Sequence, residues 1–230
     1  MEAGEADGTA TAVRQHLHNA TRKNRPDGSK VAFVRDNNIY WMDLSTLEEH
    51  AITTDGKINE VINGTTDWVY EEEFAITRGF LWSPDSKKIS YMRFDESKVK
   101  EYNMQMWGEL YLEDYRYKYP KAGEDNSKVE LWVYAIESKK GARIATTDKT
   151  WEYIPRFQWA DANTLTYMLM NRLQSHMQIK TDNGQMLYEE QCDTYVDVLE
   201  HHRPMQLTSL VSLIPVYNVI KVLNENLTIS

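Results

Sequence analysis

Short runs of alternating hydrophobic and polar residues recur along the chain, each directly after a turn. Asp, Gly and Ser favour tight turns, and the alternation that follows is typical of a strand with one buried face. Three such segments align with one another, namely residues 25–33 (RPDGSKVAF), 83–91 (SPDSKKISY) and 159–167 (WADANTLTY). The pattern therefore predicts a turn-and-strand unit that occurs three times.

Further strands follow the copies of this unit. After the first copy, a turn at Asn37-Asn38 leads to a strand at 39–42, and a turn at 43–47 leads to a strand at 50–53. The same order returns with strands at 130–135 and 143–146 and again from 168 to 179. Units of about four antiparallel strands are what β-propeller blades require, because each blade buries its faces against its neighbours. We predict an all-β fold, a partial β-propeller of about three to four four-stranded blades, with a β-sandwich as the alternative.

The spacing of the repeat is uneven. The turn aspartates Asp27, Asp85 and Asp161 are 58 and 76 residues apart, whereas propeller repeats are roughly 40–50 residues long. Insertions are therefore predicted at 62–77 and 95–128. The second insertion is rich in aromatic and charged residues, which indicates an ordered, extended arm, and loops of that length are usually functional.

The two ends of the chain differ from the repeat. Residues 1–22 hold no apolar run behind a basic start, so no signal peptide or membrane segment is predicted there. Beyond residue 200 the sequence is rich in Leu, Val and Ile, but its longest apolar patch is too short to span a bilayer. We predict an unmatched leader at 1–23, the partial propeller domain at 24–200 and an unmatched tail at 201–230. The cellular location stays unknown from these features.

Composition excludes some classes of function. The net charge of −9, from 26 Lys and Arg against 35 Asp and Glu, argues against a nucleic-acid partner, as does the lack of a dense basic run. The single Cys192 allows no internal disulfide. No cofactor is indicated, and the pairs His16/His18 and His201/His202 lack ligands at metal-site spacing, so no metal is predicted. Sequons for N-glycosylation begin at Asn19, Asn63 and Asn226.

The strongest local signal is the acidic cluster in DWVYEEEF, residues 67–74. Its three consecutive glutamates, Glu71, Glu72 and Glu73, stand between large aromatic residues that favour burial. Carboxylates held near an apolar wall attract a cation strongly, because the local dielectric is reduced. A solvated charge run is the alternative, since glutamates are mostly exposed.

The ligand that fits such a cluster is the α-ammonium group of a peptide. This group is mostly charged at neutral pH, and two carboxylates can accept two of its three N–H donors. Periodicity leaves the choice of pair open. In a strand, Glu71 and Glu73 would share a face, whereas in a helix adjacent side chains diverge by about 100°.

The motif DWVYEEEF closely resembles the glutamate motif of the dipeptidyl peptidase IV family. The resemblance covers roughly residues 24–198, and an ordered series of motifs is far more specific than any one of them. The other motifs are VAFVRDNNIY (31–40), WSPD (82–85), YPKAG (119–123) and NRLQ (171–174).

This resemblance implies a serine exopeptidase of the prolyl oligopeptidase type, with an eight-bladed propeller above an α/β-hydrolase domain. Such enzymes remove X-Pro or X-Ala dipeptides from peptide N-termini. The family's ammonium-binding glutamates match Glu72 and Glu73, and Glu71 is a further candidate. Anchoring the substrate's N-terminus in this way leaves room for only two residues before the scissile bond. Orienting the substrate also lowers the entropic barrier to the reaction.

The resemblance also implies partners and a location. Family members are typically secreted, periplasmic or at the cell surface. The counterpart of residues 94–131 is an arm that reaches into a homodimer interface, and exposed aromatic residues suit such a contact.

The catalytic machinery of such an enzyme is not found in this sequence. The family's nucleophile lies in a G-x-S-x-G elbow, but the only glycines four residues apart are Gly4 and Gly8, with Ala6 between them. No residue in 1–23 matches the family's substrate-binding arginine. We therefore expect a chain that lacks the catalytic triad and the hydrolase domain and is inactive alone. The open edges of a partial propeller also predict a tendency to aggregate.

Two other functions are considered. A stand-alone, propeller-like module that binds another protein is the main alternative. A glycosidase is less favoured, because its paired carboxylates stand about 5–9.5 Å apart on facing walls.

Overall fold

The computed structural model describes residues 22–108, 110–196 and 198. These residues form two compact units, one ending at Thr146 and the other starting at Thr147. Antiparallel strands make up nearly all the regular structure of both units. Residues 1–21 and 201–230, which include most of the predicted leader and the whole predicted tail, lie outside the described residues.

The first sheet is a simple meander. Its strands pair in chain order, and the hairpin between the second and third strands turns at Asp36 and Asn37, whose φ angles of 49° and 59° are both positive. The turn thus lies one residue earlier than predicted. Two positive φ angles give the turn type that suits the twist of a tight hairpin. The strands are β1 (Arg22–Asn24), β2 (Lys30–Arg35), β3 (Asn38–Asp43) and β4 (Glu49–Ala51).

The second sheet carries both predicted insertions. Its meander runs β6-β7-β10-β11, and β5 pairs with the far end of β7. The insertion at 62–77 contains a short helix, and the insertion at 95–128 contains a separate hairpin, β8-β9. The elements are β5 (Val61–Asn63), α1 (Trp68–Glu72), β6 (Phe80–Trp82), β7 (Lys88–Asp95), β8 (Glu101–Met106), β9 (Glu113–Lys118), β10 (Lys128–Ala135) and β11 (Lys140–Thr146).

The first two sheets share one hydrophobic core. Side chains of β2 and β3 pack with side chains of β6 and β7, and the alternation along each strand directs them to the same cluster. Its members are Ala32, Val34, Ile39, Trp41, Phe80, Trp82, Ile89, Tyr91 and Tyr134.

The third sheet, in the second unit, repeats the meander. Its central strand is buried along its whole length, whereas the next strand alternates between buried and half-buried positions. The strands are β12 (Phe157–Trp159), β13 (Leu165–Met170), β14 (His176–Thr181) and β15 (Met186–Gln191), in that order. Meanders of four strands, repeated three times, confirm the predicted all-β partial propeller with an extended arm.

Candidate functional site

Helix α1 begins at the acidic motif because of a local cap. The Asp67 carboxylate accepts a hydrogen bond from the backbone N–H of Tyr70 at 3.0 Å, which satisfies one of the unpaired donors of the first turn. Glu71 lies in that first turn, where its negative charge interacts favourably with the helix dipole. These contacts favour a helix over the strand that periodicity left open.

One face of α1 is held by buried aromatic rings. Tyr70 and Phe74 are 2% and 3% exposed, and their ring centroids are 5.1 Å apart in an edge-on arrangement. Tyr70 also meets the ring of Phe94 on β7 at 4.9 Å. Edge-to-face pairs of this kind add about 0.5–1.5 kcal/mol each to the burial of the rings. The helix is therefore firmly seated on the second sheet.

The three predicted glutamates lie on the outer side of this helix. Glu71 and Glu72 are in α1, Glu73 is its C-cap, and all three are exposed. The strand alternative, in which Glu71 and Glu73 share a face, is therefore wrong. No Lys, Arg or His of the described residues forms an ion pair with any of the three. Their charges remain available to a ligand.

The chain folds back directly after the glutamates. Ala75 has a φ of 53°, and the N–H of Ile76 donates to the carbonyl of Tyr70 at 3.0 Å. The Thr66 hydroxyl donates to the carbonyl of Ile76. The glutamates thus stand on a compact loop that is tied together at both ends.

Two carboxyl groups of this region are buried, one at the start of α1 and one directly after β7. Asp67 and Glu96 are 7% and 6% exposed. Asp67 accepts a second hydrogen bond, from the Ser127 hydroxyl at 2.6 Å, which joins α1 to the strand β10 region. Burial raises the pKa of Asp67, and the hydrogen bonds from Ser127 and Tyr70 act against that rise. Burial, with a smaller effect of the Asp67 charge, raises the pKa of Glu96 to about 7.

Sequence reasoning missed both of these groups. Asp67 directly precedes an apolar run, Trp68 to Tyr70. An aspartate at such a position is a recognisable signal for a helix N-cap. No local sequence pattern marks Glu96, because its burial depends on segments that are distant in the chain.

The arm is a two-stranded hairpin with exposed apolar side chains. Strands β8 and β9 pair from Glu101 with Lys118 to Met106 with Glu113. Around the tip, Trp107 is 79% exposed, Leu110 92% and Tyr111 83%. Clusters of exposed large apolar groups are typical of interaction sites.

The base of the arm contacts the glutamate helix. The ring centroids of Trp68 on α1 and Tyr119 after β9 are 4.4 Å apart. Tyr119 in turn packs against Tyr102 and Tyr117 at 5.6 and 6.2 Å, and its N–H donates to the carbonyl of Lys100 at 3.1 Å. A row of aromatic rings therefore connects the helix to the arm.

Comparison with known proteins identifies the family of this chain. The family profile described as "Dipeptidyl peptidase IV (DPP IV) N-terminal region" matches residues 7–212. The chain belongs to the dipeptidyl peptidase IV family. It represents part of the N-terminal region of such proteins, and the family resemblance seen in the sequence is confirmed.

Individual members of the dipeptidyl peptidase IV family show the extent of the likeness. Dipeptidyl aminopeptidase B of Saccharomyces cerevisiae is 36% identical over 143 residues, which are 55% of this chain and 17% of the yeast protein. Venom dipeptidyl peptidase 4 of Vespa velutina is 31% identical over 216 residues, 86% of this chain and 27% of the wasp protein. The crystal structure of Porphyromonas gingivalis dipeptidyl peptidase 4 is 41% identical with a TM-score of 0.72, covering 77% of this chain and 26% of that one. This chain thus spans roughly a quarter or less of each relative.

The sequence also offered N-glycosylation sequons and histidine pairs as candidate sites in this family member. Asn63 of the second sequon is fully buried, and its side-chain N–H donates to Asp55 at 2.9 Å and to the carbonyl of Asn37 at 3.2 Å. The part of the chain that the structure describes contains no cluster of three metal-ligating side chains and no helix that could cross a membrane. The other sequons and the candidate histidines lie outside the described residues, at Asn19, Asn226, His16, His18, His201 and His202.

Proposed function

We propose that this chain is the substrate-recognition portion of the propeller of a dipeptidyl peptidase IV-like serine exopeptidase, in which Glu72 and Glu73 bind the substrate's α-ammonium group. The observation that carries the proposal is the group of exposed, unpaired carboxylates on a helix that is firmly anchored underneath. Geometry alone favours no pair. Glu71 already compensates the helix dipole in the first turn, which supports Glu72 and Glu73 as the ligand-binding residues.

The chemistry of this site is recognition of a free peptide N-terminus. An ammonium group offers three donors, and charge-assisted hydrogen bonds to carboxylates are roughly twice as strong as neutral ones. An anchored N-terminus lies at a set distance from the nucleophile of the whole enzyme. Cleavage after the second residue, with release of X-Pro or X-Ala dipeptides, follows from that distance.

The bond-breaking step is assigned to another region of the enzyme. The 230 residues contain no G-x-S-x-G elbow, so the nucleophile would come from a hydrolase region outside them. We expect the purified chain not to hydrolyse a Gly-Pro chromogenic substrate. Robust turnover that disappears in Glu72→Ala would contradict this assignment.

The binding role can be tested with the chain itself by NMR titration. A free dipeptide such as Ile-Pro should shift the backbone signals of residues 68–76, and its N-acetylated form should not, because acetylation removes the charge and two of the three donors. Glu72→Gln and Glu73→Gln should each weaken binding by about 10-fold or more, the loss expected for a charged hydrogen bond.

The matched control is Glu137→Gln, which changes an exposed glutamate just after β10. It should bind the free dipeptide as the unaltered chain does. Equal binding of the acetylated dipeptide, or an equal loss in the Glu137 variant, would count against ammonium recognition.

The arm supports a second proposal, a homodimer through residues 94–131. The observation that favours it is the exposed apolar tip around Trp107. Sedimentation should show self-association that Trp107→Ser abolishes. Leu173→Ser is a matched control, because Leu173 is also 79% exposed but lies in the second unit. A monomer that instead retains a different protein through residues 95–128 would favour the stand-alone binding module.

A further inference from the structure

Asp67 and Glu96 are two buried carboxyl residues that the proposed function does not use. Ser127 connects them, because its hydroxyl donates to Asp67 while the next residue, Lys128, pairs across the sheet with Asp95, the residue before Glu96. Asp67 caps α1, and Glu96 lies between β7 and the arm hairpin, where its N–H donates to the carbonyl of Glu60 at 2.9 Å. Both side chains are more than nine-tenths buried. Within the described ranges, neither carboxyl forms an ion pair with a Lys, Arg or His.

The charged groups around Glu96 do not neutralise the pair. Asp95, its neighbour in the chain, adds a further negative charge. Lys118 on β9 is the cation that acts on Glu96, but its ammonium donates to the carbonyl of Val99 at 2.8 Å and lies 3.9 Å from the carboxylate of Glu101. Lys118 is thus held by other partners.

The two carboxyls differ in which charge state the structure favours. Asp67 accepts hydrogen bonds from the Ser127 hydroxyl and the Tyr70 N–H, both of which stabilise its ionised form at the helix N-terminus. Among residues 22–108 and 110–196, no group donates a hydrogen bond to the Glu96 carboxyl. Burial raises the pKa of both carboxyls, and at Asp67 it outweighs the two hydrogen bonds. Two buried, unpaired negative charges are costly, and only Asp67 has donors that stabilise its ionised form, so the proton is assigned to Glu96.

We propose that Asp67 and Glu96 form a one-proton site at the junction of the glutamate helix and the arm, and that loss of this proton loosens the junction. The elements that meet there are tied by the Trp68–Tyr119 ring contact and the Asp67–Ser127 hydrogen bond. When both carboxyls are ionised, their repulsion acts between α1 and the segment that leads into the arm. This repulsion is relieved when the two carboxylates move apart or become hydrated.

The pH dependence follows from the direction of the shift. Burial and the Asp67 charge raise the pKa of Glu96 from 4.5 to about 7 in the folded chain. The folded state therefore binds more protons than the unfolded state between these values, and stability falls as pH rises through this window. A folded-state pKa of about 7 against 4.5 in the unfolded chain corresponds to at most about a 300-fold change in the unfolding equilibrium.

The first test is urea unfolding between about pH 5.5 and 8.5. Glu96→Gln keeps the size of the side chain but cannot ionise, so it should flatten the decline in stability that the unaltered chain shows. Glu137→Gln, on an exposed glutamate, should retain the decline. All three chains are otherwise identical in sequence, so a difference between their pH profiles reports the substituted glutamate. Parallel pH profiles for the unaltered chain and Glu96→Gln would overturn the proposal.

The second test does not require reversible unfolding. A carbon-13 NMR titration of the side-chain carboxyls should show Glu96 titrating near pH 7, and amide exchange of residues 68–73, corrected for its intrinsic pH dependence, should speed up across the same range. Glu96→Gln should abolish that increase. A Glu96 that titrates near its ordinary value refutes the one-proton site, and exchange that is independent of pH refutes the loosening.

Discussion

Replacing Gly64 by Ala tests how closely the glutamate loop is fitted to the first sheet. Gly64 lies between β5 and α1 with a φ of +77°, and a Cβ there would lie 2.5 Å from Ile39 Cγ1 and 3.0 Å from Val34 Cγ2. Both neighbours are buried core residues, at 0% and 8% exposure. They have little freedom to move away, because protein cores are closely packed.

Gly28→Ala supplies the matched control. Gly28 has nearly the same φ, +74°, but no atom lies within 4 Å of its Cβ position. Both variants bear the cost of a left-handed alanine, about 1 kcal/mol. Only Gly64→Ala adds overpacking, about 1–3 kcal/mol. We expect losses of about 1 kcal/mol for Gly28→Ala and about 2–4 kcal/mol for Gly64→Ala.

Urea unfolding followed by circular dichroism measures both losses, provided that the m-values stay unchanged. NMR spectra of the Gly64 variant should also show altered signals for residues 68–76, since the loop begins at the displaced position. Equal losses for the two variants would refute the reasoning, because the cost would then come from backbone conformation alone.

Three further outcomes are expected. Ser127→Ala should destabilise the chain by about 1–3 kcal/mol in urea unfolding, because it removes a hydrogen bond to the buried Asp67 carboxyl; an unchanged midpoint would contradict this. Mass spectrometry of the chain secreted from eukaryotic cells should find no glycan on Asn63, whose amide is buried and engaged. The hydrogen bond from Lys30 lowers the pKa of Asp43, so its stabilisation should be present above pH 4 and decline at lower pH. Thermal melts should show a flatter acid decline in Asp43→Asn, and an identical decline would refute that role.

Much of the fold could be predicted because its signals are local. Turn residues followed by alternating side chains appear at each copy of the repeat, and each copy forms a meander. The predicted turn at Asn37 was displaced by one residue, since Asp and Asn both tolerate the positive φ that a tight hairpin needs. The glutamate motif was likewise visible in the sequence, as were the two insertions that contain the helix and the arm.

The sequence by itself therefore determined the strand units, the family and the three candidate glutamates. Only the tertiary structure decided that the glutamates stand on a helix seated against Phe94, and that Asp67 bonds to Ser127 beside the strand pair that holds Glu96. These residues belong to separate segments of the chain, and no periodicity relates them. A raised pKa is a property of burial and of neighbouring charge, both of which exist only after the segments have packed together.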